Sequence, residues 1–182
     1  MSSHIGRGVL MTNLIIANIF SFISACFTVA SSWTKNPHRT YWYMVGQCLV
    51  YAIAAYFFGT YATILMMVMN AFRNGLVAAE KYTPVWMAVC ASASLVVGLV
   101  FNGHTGAEYL SVFMTVYYTV SSYFLTSAKA VKLNLAFDLG MWLIFDLIVV
   151  DIPSGIVDFV SVVLALITFF RIRKDEKNTK MK

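Results

Sequence analysis

The chain contains 182 residues, of which 60% are apolar and only 12% are charged, and its mean hydropathy is +0.75. A soluble domain carries about 25% charged residues, so this composition leaves too little polar surface for one. It excludes a soluble enzyme, a disordered protein and, despite the net charge of +5, a nucleic-acid-binding protein. The composition indicates a protein whose main partner is the lipid bilayer.

Seven apolar stretches are long enough to cross a membrane, which takes about 20 mostly apolar residues. Gly59, Asn102-Gly103 and the segment 151–155 are predicted chain reversals, and Pro84 suits the first turn of a helix. The very short connections after the second and sixth stretches predict antiparallel hairpins. In chain order, the predicted helices are 9–32, 40–58, 60–79, 84–101, 107–125, 130–150 and 154–173.

The basic residues favour this count of seven. With seven spans, every Lys and Arg except Arg7 falls on one side of the membrane, whereas six spans would scatter them over both. Positive charge is retained in the cytoplasm, so we predict an outside N-terminus and a cytoplasmic C-terminus. The basic tail 175–182 is predicted to be solvated, with binding to anionic lipid as the alternative.

The chain also contains an internal repeat. Residues 28–32 align with 119–123 at a shift of 91, and Phe72-Arg73 aligns with Phe170-Arg171 at a shift of 98. The first shift pairs Gln47 with Asp138 and Tyr51 with Trp142.

The repeat predicts an all-α membrane protein with seven transmembrane helices, in which a linker helix joins two parallel three-helix bundles. The first bundle occupies 1–82, the linker helix 83–102, the second bundle 103–174 and the tail 175–182. Parallel repeats of this kind occur in transporters whose substrate site lies between the copies near the midplane of the membrane.

This plan of three, one and three helices resembles that of the SWEET sugar transporters and of the PnuC transporters of vitamin precursors. The stretch from Trp33 to Arg73 resembles the YgjV family of bacterial inner-membrane proteins more closely. The resemblance implies a SWEET-like fold in the bacterial plasma membrane. Its residues are the basic turn Lys35, His38 and Arg39, the Tyr-Phe-Phe-Gly-Thr-Tyr hairpin at 56–61, and Asn70-Ala-Phe-Arg73.

Two ionisable residues, Asp138 and Asp146, fall inside the sixth predicted helix, where a charge costs about 2.5–3.5 kcal/mol on insertion scales. Trp142 lies between them at a spacing of four, so the three side chains share a broad face. A carboxylate beside an indole can hold a cationic or hydroxyl-bearing ligand. The alternative is that Asp138 pairs with Arg73 or Arg171, or bonds to a helix hydroxyl.

Further polar residues lie in the other helices. Gln47, Tyr51, Asn70 and Thr168 are predicted to line a central cavity, although hydrogen bonding between helices is the alternative. Arg73 and Arg171 are predicted to be gating residues or snorkelling anchors.

The first and fifth helices each carry a stripe of small and polar residues, predicted either to pack closely against other helices or to line a water path. The stripes are Asn13, Ala17, Ser21, Ser24 and Thr28, and Glu108, Val112, Thr115, Thr119 and Ser122.

These patterns predict a transporter of a small polar solute, either a facilitator or proton-coupled. The alternative is a non-transporting membrane scaffold or assembly protein. No catalytic motif, cofactor or nucleic-acid partner is predicted, and a homodimer is compatible with the sequence. No metal site is predicted, because the histidines His4, His38 and His104 fall outside the predicted spans.

Overall fold

The computed structural model describes residues 2–59, 61–101, 106–150 and 152–180. The predicted reversal at Asn102-Gly103, His104 and Asp151 lie outside the described residues, as do the side chains of His4, Arg7 and Glu108. The described residues form seven α-helices and no strand. The helices are α1 (Ser2–Trp33), α2 (Pro37–Phe58), α3 (Tyr61–Ala78), α4 (Pro84–Val100), α5 (Gly106–Phe124), α6 (Ala128–Val149) and α7 (Ile152–Lys180).

The helix ends follow local chemistry. Gly59 ends α2 with φ of 74°, a left-handed conformation that glycine adopts without steric cost. Pro84 opens α4, where the Thr83 side chain accepts a hydrogen bond from the backbone N–H of Trp86. The predicted punctuation at Gly59 and Pro84 is therefore confirmed.

The seventh helix extends beyond its predicted end at residue 173. It continues to Lys180, so most of the predicted tail is helical. Lys35 forms an ion pair with Asp175, with an N···O distance of 2.6 Å, and Lys129 forms one of the same length with Glu176. These pairs bring the extension of α7 against the loop before α2 and the start of α6.

The helices pack in a closed sequence of neighbours. Helix α2 packs between α1 and α3, and α6 packs between α5 and α7. The two sets meet where α1 packs against α7 and where α3 contacts α5, while α4 packs against both α3 and α5. At the contact of α4 with α5, a Cβ atom on Gly98 would lie 2.5 Å from Cγ2 of Val112.

Polarity is distributed inside out. Exposed large apolar side chains occur on all seven helices, while the buried residues include nearly as many polar or charged side chains as apolar ones. A soluble protein places its polar residues at the surface, so this distribution is that of a protein surrounded by lipid.

Three helical segments in the described part of the chain are long and apolar enough to cross a membrane. They are Met11–Trp33, Pro37–Phe58 and Ser154–Thr179, and the shorter apolar helices are Thr63–Ala78 and Pro84–Val100. Helix α6 is not among these segments; it carries three charged side chains, Lys132, Asp138 and Asp146, which are buried inside the bundle.

Candidate functional site

A cavity of about 510 Å³ lies between α1, α2, α3, α6 and α7. Small-molecule sites in proteins have volumes of about 300–1,000 Å³. The lining on α1 extends from Asn18 to Ser31, which spans about 20 Å at the helical rise of 1.5 Å per residue. The cavity is therefore large enough for a small organic solute.

Most of the predicted site residues line this cavity, and two do not. Thr168 instead donates a hydrogen bond of 3.3 Å to the backbone oxygen of Trp33, which ties α7 to α1. Arg171 is exposed and places its guanidinium 4.1 Å from the centre of the Trp33 ring. The predicted residues on the lining are Gln47, Tyr51, Asn70, Arg73, Asp138, Trp142 and Asp146.

Asp138 is 8% exposed and lines the cavity. No hydrogen bond and no ion pair with an N···O distance within 4.0 Å joins it to another described residue. Arg73 is close enough for its charge to act on the carboxylate. Among the described residues, Asp138 therefore makes neither of the predicted alternatives, a hydrogen bond to a helix hydroxyl or a direct ion pair with Arg73 or Arg171.

Arg73 is 4% exposed, although the sequence places it near a helix end. Its Nη1 donates to Oγ1 of Thr119 at 2.8 Å, and its Nε and Nη2 donate to Oδ1 of Asn74 at 3.3 and 3.0 Å. The guanidinium also lies 4.9 Å from the centre of the Tyr118 ring. Neutral acceptors and an aromatic face thus replace water around this buried charge.

Lys132 is a second buried cation and is fully shielded from solvent. Its Nζ donates to the backbone oxygen of Ser31 and, at 2.8 Å, to Oγ1 of Thr40. Ser31 lies in the last turn of α1, where the helix dipole presents its negative end. Lys132 on α6 therefore fastens the α1–α2 turn to the second set of helices.

The contacts of Arg73 with Thr119 and Asn74 and those of Lys132 with Ser31 and Thr40 lie at one end of the cavity. We call this end the basal end. The apolar cluster beneath the cavity includes Met44, Leu135 and Leu139, all of which also line it. Nearby, the Tyr82 hydroxyl donates to the backbone oxygen of Thr119 at 2.9 Å, and burial raises the pKa of Tyr82. The basal end is thus packed and joined across the two sets of helices.

Sequence reasoning missed two residues of the basal end, Asn74 and Lys132. Asn74 is fully buried and also donates to the Cys48 sulfur at 3.9 Å. Its position beside Arg73 in an apolar helix was an available signal. The distribution of basic residues counts Lys132 with the cytoplasmic loops, and its burial depends on the packing of α6 against the α1–α2 turn.

The two polar stripes take different environments. On α1, Ser21, Ser24 and Thr28 line the cavity, and Ser24 donates to the backbone oxygen of Gln47 at 3.1 Å. On α5, Thr115, Thr119 and Ser122 are buried away from the cavity and donate to carbonyl oxygens of their own helix. The latter three bonds measure 3.0, 2.7 and 2.6 Å.

The cysteines and acidic residues do not form a metal centre within the described part of the chain, where no group of three His, Cys, Asp or Glu side chains is placed to hold an ion. All three cysteines are free. Cys48 is buried and lines the cavity, whereas Cys90 on α4 is buried elsewhere.

A protein-family model, Imp-YgjV, described as a bacterial inner membrane protein, matches residues 15–176. This match confirms the resemblance seen between Trp33 and Arg73 and extends it over nearly the whole chain. No curated protein and no solved structure matches the chain.

Proposed function

Because the chain belongs to the Imp-YgjV family of bacterial inner membrane proteins, we propose that it transports a small polar solute across that membrane. The observation that carries the proposal is the cavity between the two sets of helices, with the buried carboxylate of Asp138 on its wall. Ionisable residues at membrane depth usually face a substrate or ion pathway. A scaffold whose polar residues only join helices has no need of such a space.

The proposed architecture is the SWEET-like one, with two parallel bundles joined by α4. Support comes from the repeat positions, because Gln47 and Asp138 line the same cavity, as do Tyr51 and Trp142. The two proposed bundles also share one helix order, because the second helix of each packs between the other two, which supports the repeat. Rocking of one bundle against the other would expose the cavity to each side in turn.

The proposed topology has seven spans, an outside N-terminus and a cytoplasmic C-terminus. The ion pairs of Lys35 with Asp175 and of Lys129 with Glu176 support it, because they collect two basic loops and the end of α7 on one side of the molecule. Positive charge of this kind is retained in the cytoplasm. The basal end of the cavity then faces the cytoplasm.

The native cysteines offer a test that needs no known substrate. One variant keeps Cys48 alone, on the cavity wall, and a matched control keeps Cys90 alone, which is equally buried but away from the cavity. Each is treated with a membrane-impermeant thiol reagent in right-side-out and inverted vesicles. A transporter that alternates between states exposes Cys48 to both sides and Cys90 to neither.

Lack of reaction at Cys48 from both sides would contradict the transport proposal and favour a scaffold or assembly protein with a dry centre. If Cys48 reacts, a thermal-shift screen of the purified protein against nucleosides, vitamins, sugars and amino acids identifies the class of solute.

A further inference from the structure

The carboxylate of Asp138 lacks a partner of opposite charge at bonding distance. It is more than nine-tenths buried, lines the cavity, and makes no hydrogen bond or ion pair within the described part of the chain. An ionised carboxylate only accepts hydrogen bonds, and burying one unpaired is costly. A donor that enters the cavity would therefore be held strongly at this point.

Arg73 does not fill this role, because its contacts hold it towards the basal end. Its N–H groups bond to Thr119 and Asn74, and its guanidinium lies over the Tyr118 ring. The Tyr118 hydroxyl in turn reaches the Met44 sulfur at 3.4 Å. These contacts occupy the N–H groups of the guanidinium, and none of them brings it within bonding distance of Asp138.

Aromatic side chains line the part of the cavity that lies away from the basal end. Trp142 follows Asp138 by one turn on the same face of α6 and lines the cavity. Phe145 packs edge-to-face against it, with ring centres 5.4 Å apart, and Tyr51 contributes from α2. Aromatic faces attract cations, Trp most strongly, by about 2 kcal/mol or more when the site is dry.

Building on the proposed transport function, we propose that the cavity selects an organic cation, with its ammonium group between Asp138 and Trp142. A bare metal ion suits the site less well, because no cluster of three ligating side chains occurs among the described residues. Asp146 lies eight residues further along α6, which is about 12 Å. The carboxylates of Asp138 and Asp146 thus lie at different levels of α6 and do not converge on one point.

The first experiment compares two thiol reagents of opposite charge on the purified full-length protein that keeps Cys48 alone. The reagents are the trimethylammonium and sulfonate derivatives of ethyl methanethiosulfonate, with 2-mercaptoethanol as the reference thiol. Arg73 and Asp138 act on Cys48 with opposite charges, so the measured quantity is the change in the preference of Cys48 for the cationic reagent when Asp138 is neutralised. Asp138→Asn should lower that preference about tenfold, whereas the matched Asp175→Asn, outside the cavity, should leave it unchanged.

The second experiment uses the same protein without changing any cavity residue. Three probes of similar shape compete with iodoacetamide for access to Cys48: choline, its uncharged isostere 3,3-dimethylbutan-1-ol, and the zwitterion glycine betaine. Protection by choline alone, or at concentrations at least tenfold lower than for the other two, supports the proposal. Equal protection by the isostere, or stronger protection by betaine, would overturn it.

The two proposals fail in different ways. An unchanged ratio of the two relative rates in Asp138→Asn would remove the selection of cations and leave a cavity open to transport. Reaction with neither reagent would contradict the transport proposal, and the cation proposal would fail with it.

Discussion

Asp138 and Arg73 carry opposite charges in one cavity without a direct bond. An aspartate in a helix bundle can have one of two roles, as half of a structural ion pair or as a binding group. A structural ion pair loses stability when one partner is neutralised, because the other charge is stranded. A carboxylate that holds a solute or a coupling proton loses function instead. The second role is the one that we propose for Asp138, and the bonds of Arg73 to Thr119 and Asn74 support it.

Asp138→Asn should therefore abolish uptake, or its dependence on pH, while the melting temperature of the purified protein stays close to that of the native chain. The amide preserves the shape of the side chain and leaves the bonds of Arg73 in place. Uptake into proteoliposomes at several pH values, with the solute found by the screen, measures the effect. A marked loss of stability with normal uptake would instead assign Asp138 to the structural pair.

Thr119 provides a prediction about stability at the basal end. Thr119→Val removes the oxygen that accepts from Nη1 of Arg73 at 2.8 Å, and hydrogen bonds to charged groups contribute about 1.5–3 kcal/mol. Thr115→Val is the matched control, because the Thr115 hydroxyl donates to the backbone oxygen of Ser111 within its own helix. Thermal unfolding in detergent should show a larger loss of stability for Thr119→Val than for Thr115→Val. Equal losses of stability would mean that the bond from Arg73 to Thr119 does not stabilise the protein.

At the level of single residues, the sequence indicates Asp138 because a charge in an apolar helix is conspicuous. It indicates Trp142 because that residue lies four positions further along the same helix. It could not place Arg73, since the same position near a helix end suits a surface anchor or a buried side chain. Arg171, its partner in the proposed repeat, is in fact exposed. The difference arises from which neighbouring helix covers each arginine, and a sequence pattern does not contain that information.

Among the helices, Gly98 at the contact of α4 with α5 has less room for a side chain than any other glycine whose surroundings the structure describes. The extra carbon of Gly98→Ala would lie 2.5 Å from Cγ2 and 2.9 Å from Cγ1 of Val112. Val112 is β-branched and has little rotamer freedom in a helix, so the helices must separate, at a cost of about 1–3 kcal/mol.

Gly140→Ala on α6 is the control for this prediction, because its new carbon would meet nothing within 4 Å. We expect it to be neutral or to stabilise the protein by up to about 1 kcal/mol through helix propensity. The melting temperature should consequently fall for Gly98→Ala and stay the same or rise for Gly140→Ala. Equal tolerance of both alanines would mean that α4 is not packed on α5 as described.

Helix boundaries were predictable where the chain carries local signals, as at Gly59 and Pro84. The end of α7 was not, because the charged residues after 173 are typical of a solvated tail. Their helical conformation depends on contacts from elsewhere in the chain, namely Lys35 to Asp175 and Lys129 to Glu176. Such distant partners cannot be read from a local pattern.

At the scale of the whole molecule, seven spans require the two termini to lie on opposite sides of the membrane. Reporter tags fused to each end, one active in the cytoplasm and one active outside, should give opposite results, with the C-terminus inside. The basic loops collected by the ion pairs of α7 give the physical reason. Termini on the same side would leave an even number of spans and remove the proposed parallel repeat.

The all-helical fold and its apolar exterior were predictable, because composition and the length of apolar runs reflect the surrounding lipid directly. The cavity was predictable in its polar residues but not in its shape. Its lower limit depends on how Met44, Leu135 and Leu139 pack together, and its walls depend on α1 presenting Ser21 and Ser24 inwards while α5 turns its own hydroxyls towards its backbone.

The buried position of Lys132 bears on how the two halves of the chain arose. At the shift of 91, its counterpart is Tyr41, and the counterpart of its acceptor Ser31 is Ser122, which lies beside Tyr41. An ancestor assembled from two identical half-length chains would have carried the same residue at both positions, whereas the present protein has a charged donor, Lys132, on one side and the neutral Tyr41 on the other. On the proposed repeat, the lysine contact marks divergence after gene duplication, and two copies of residues 1–82 could not rebuild it.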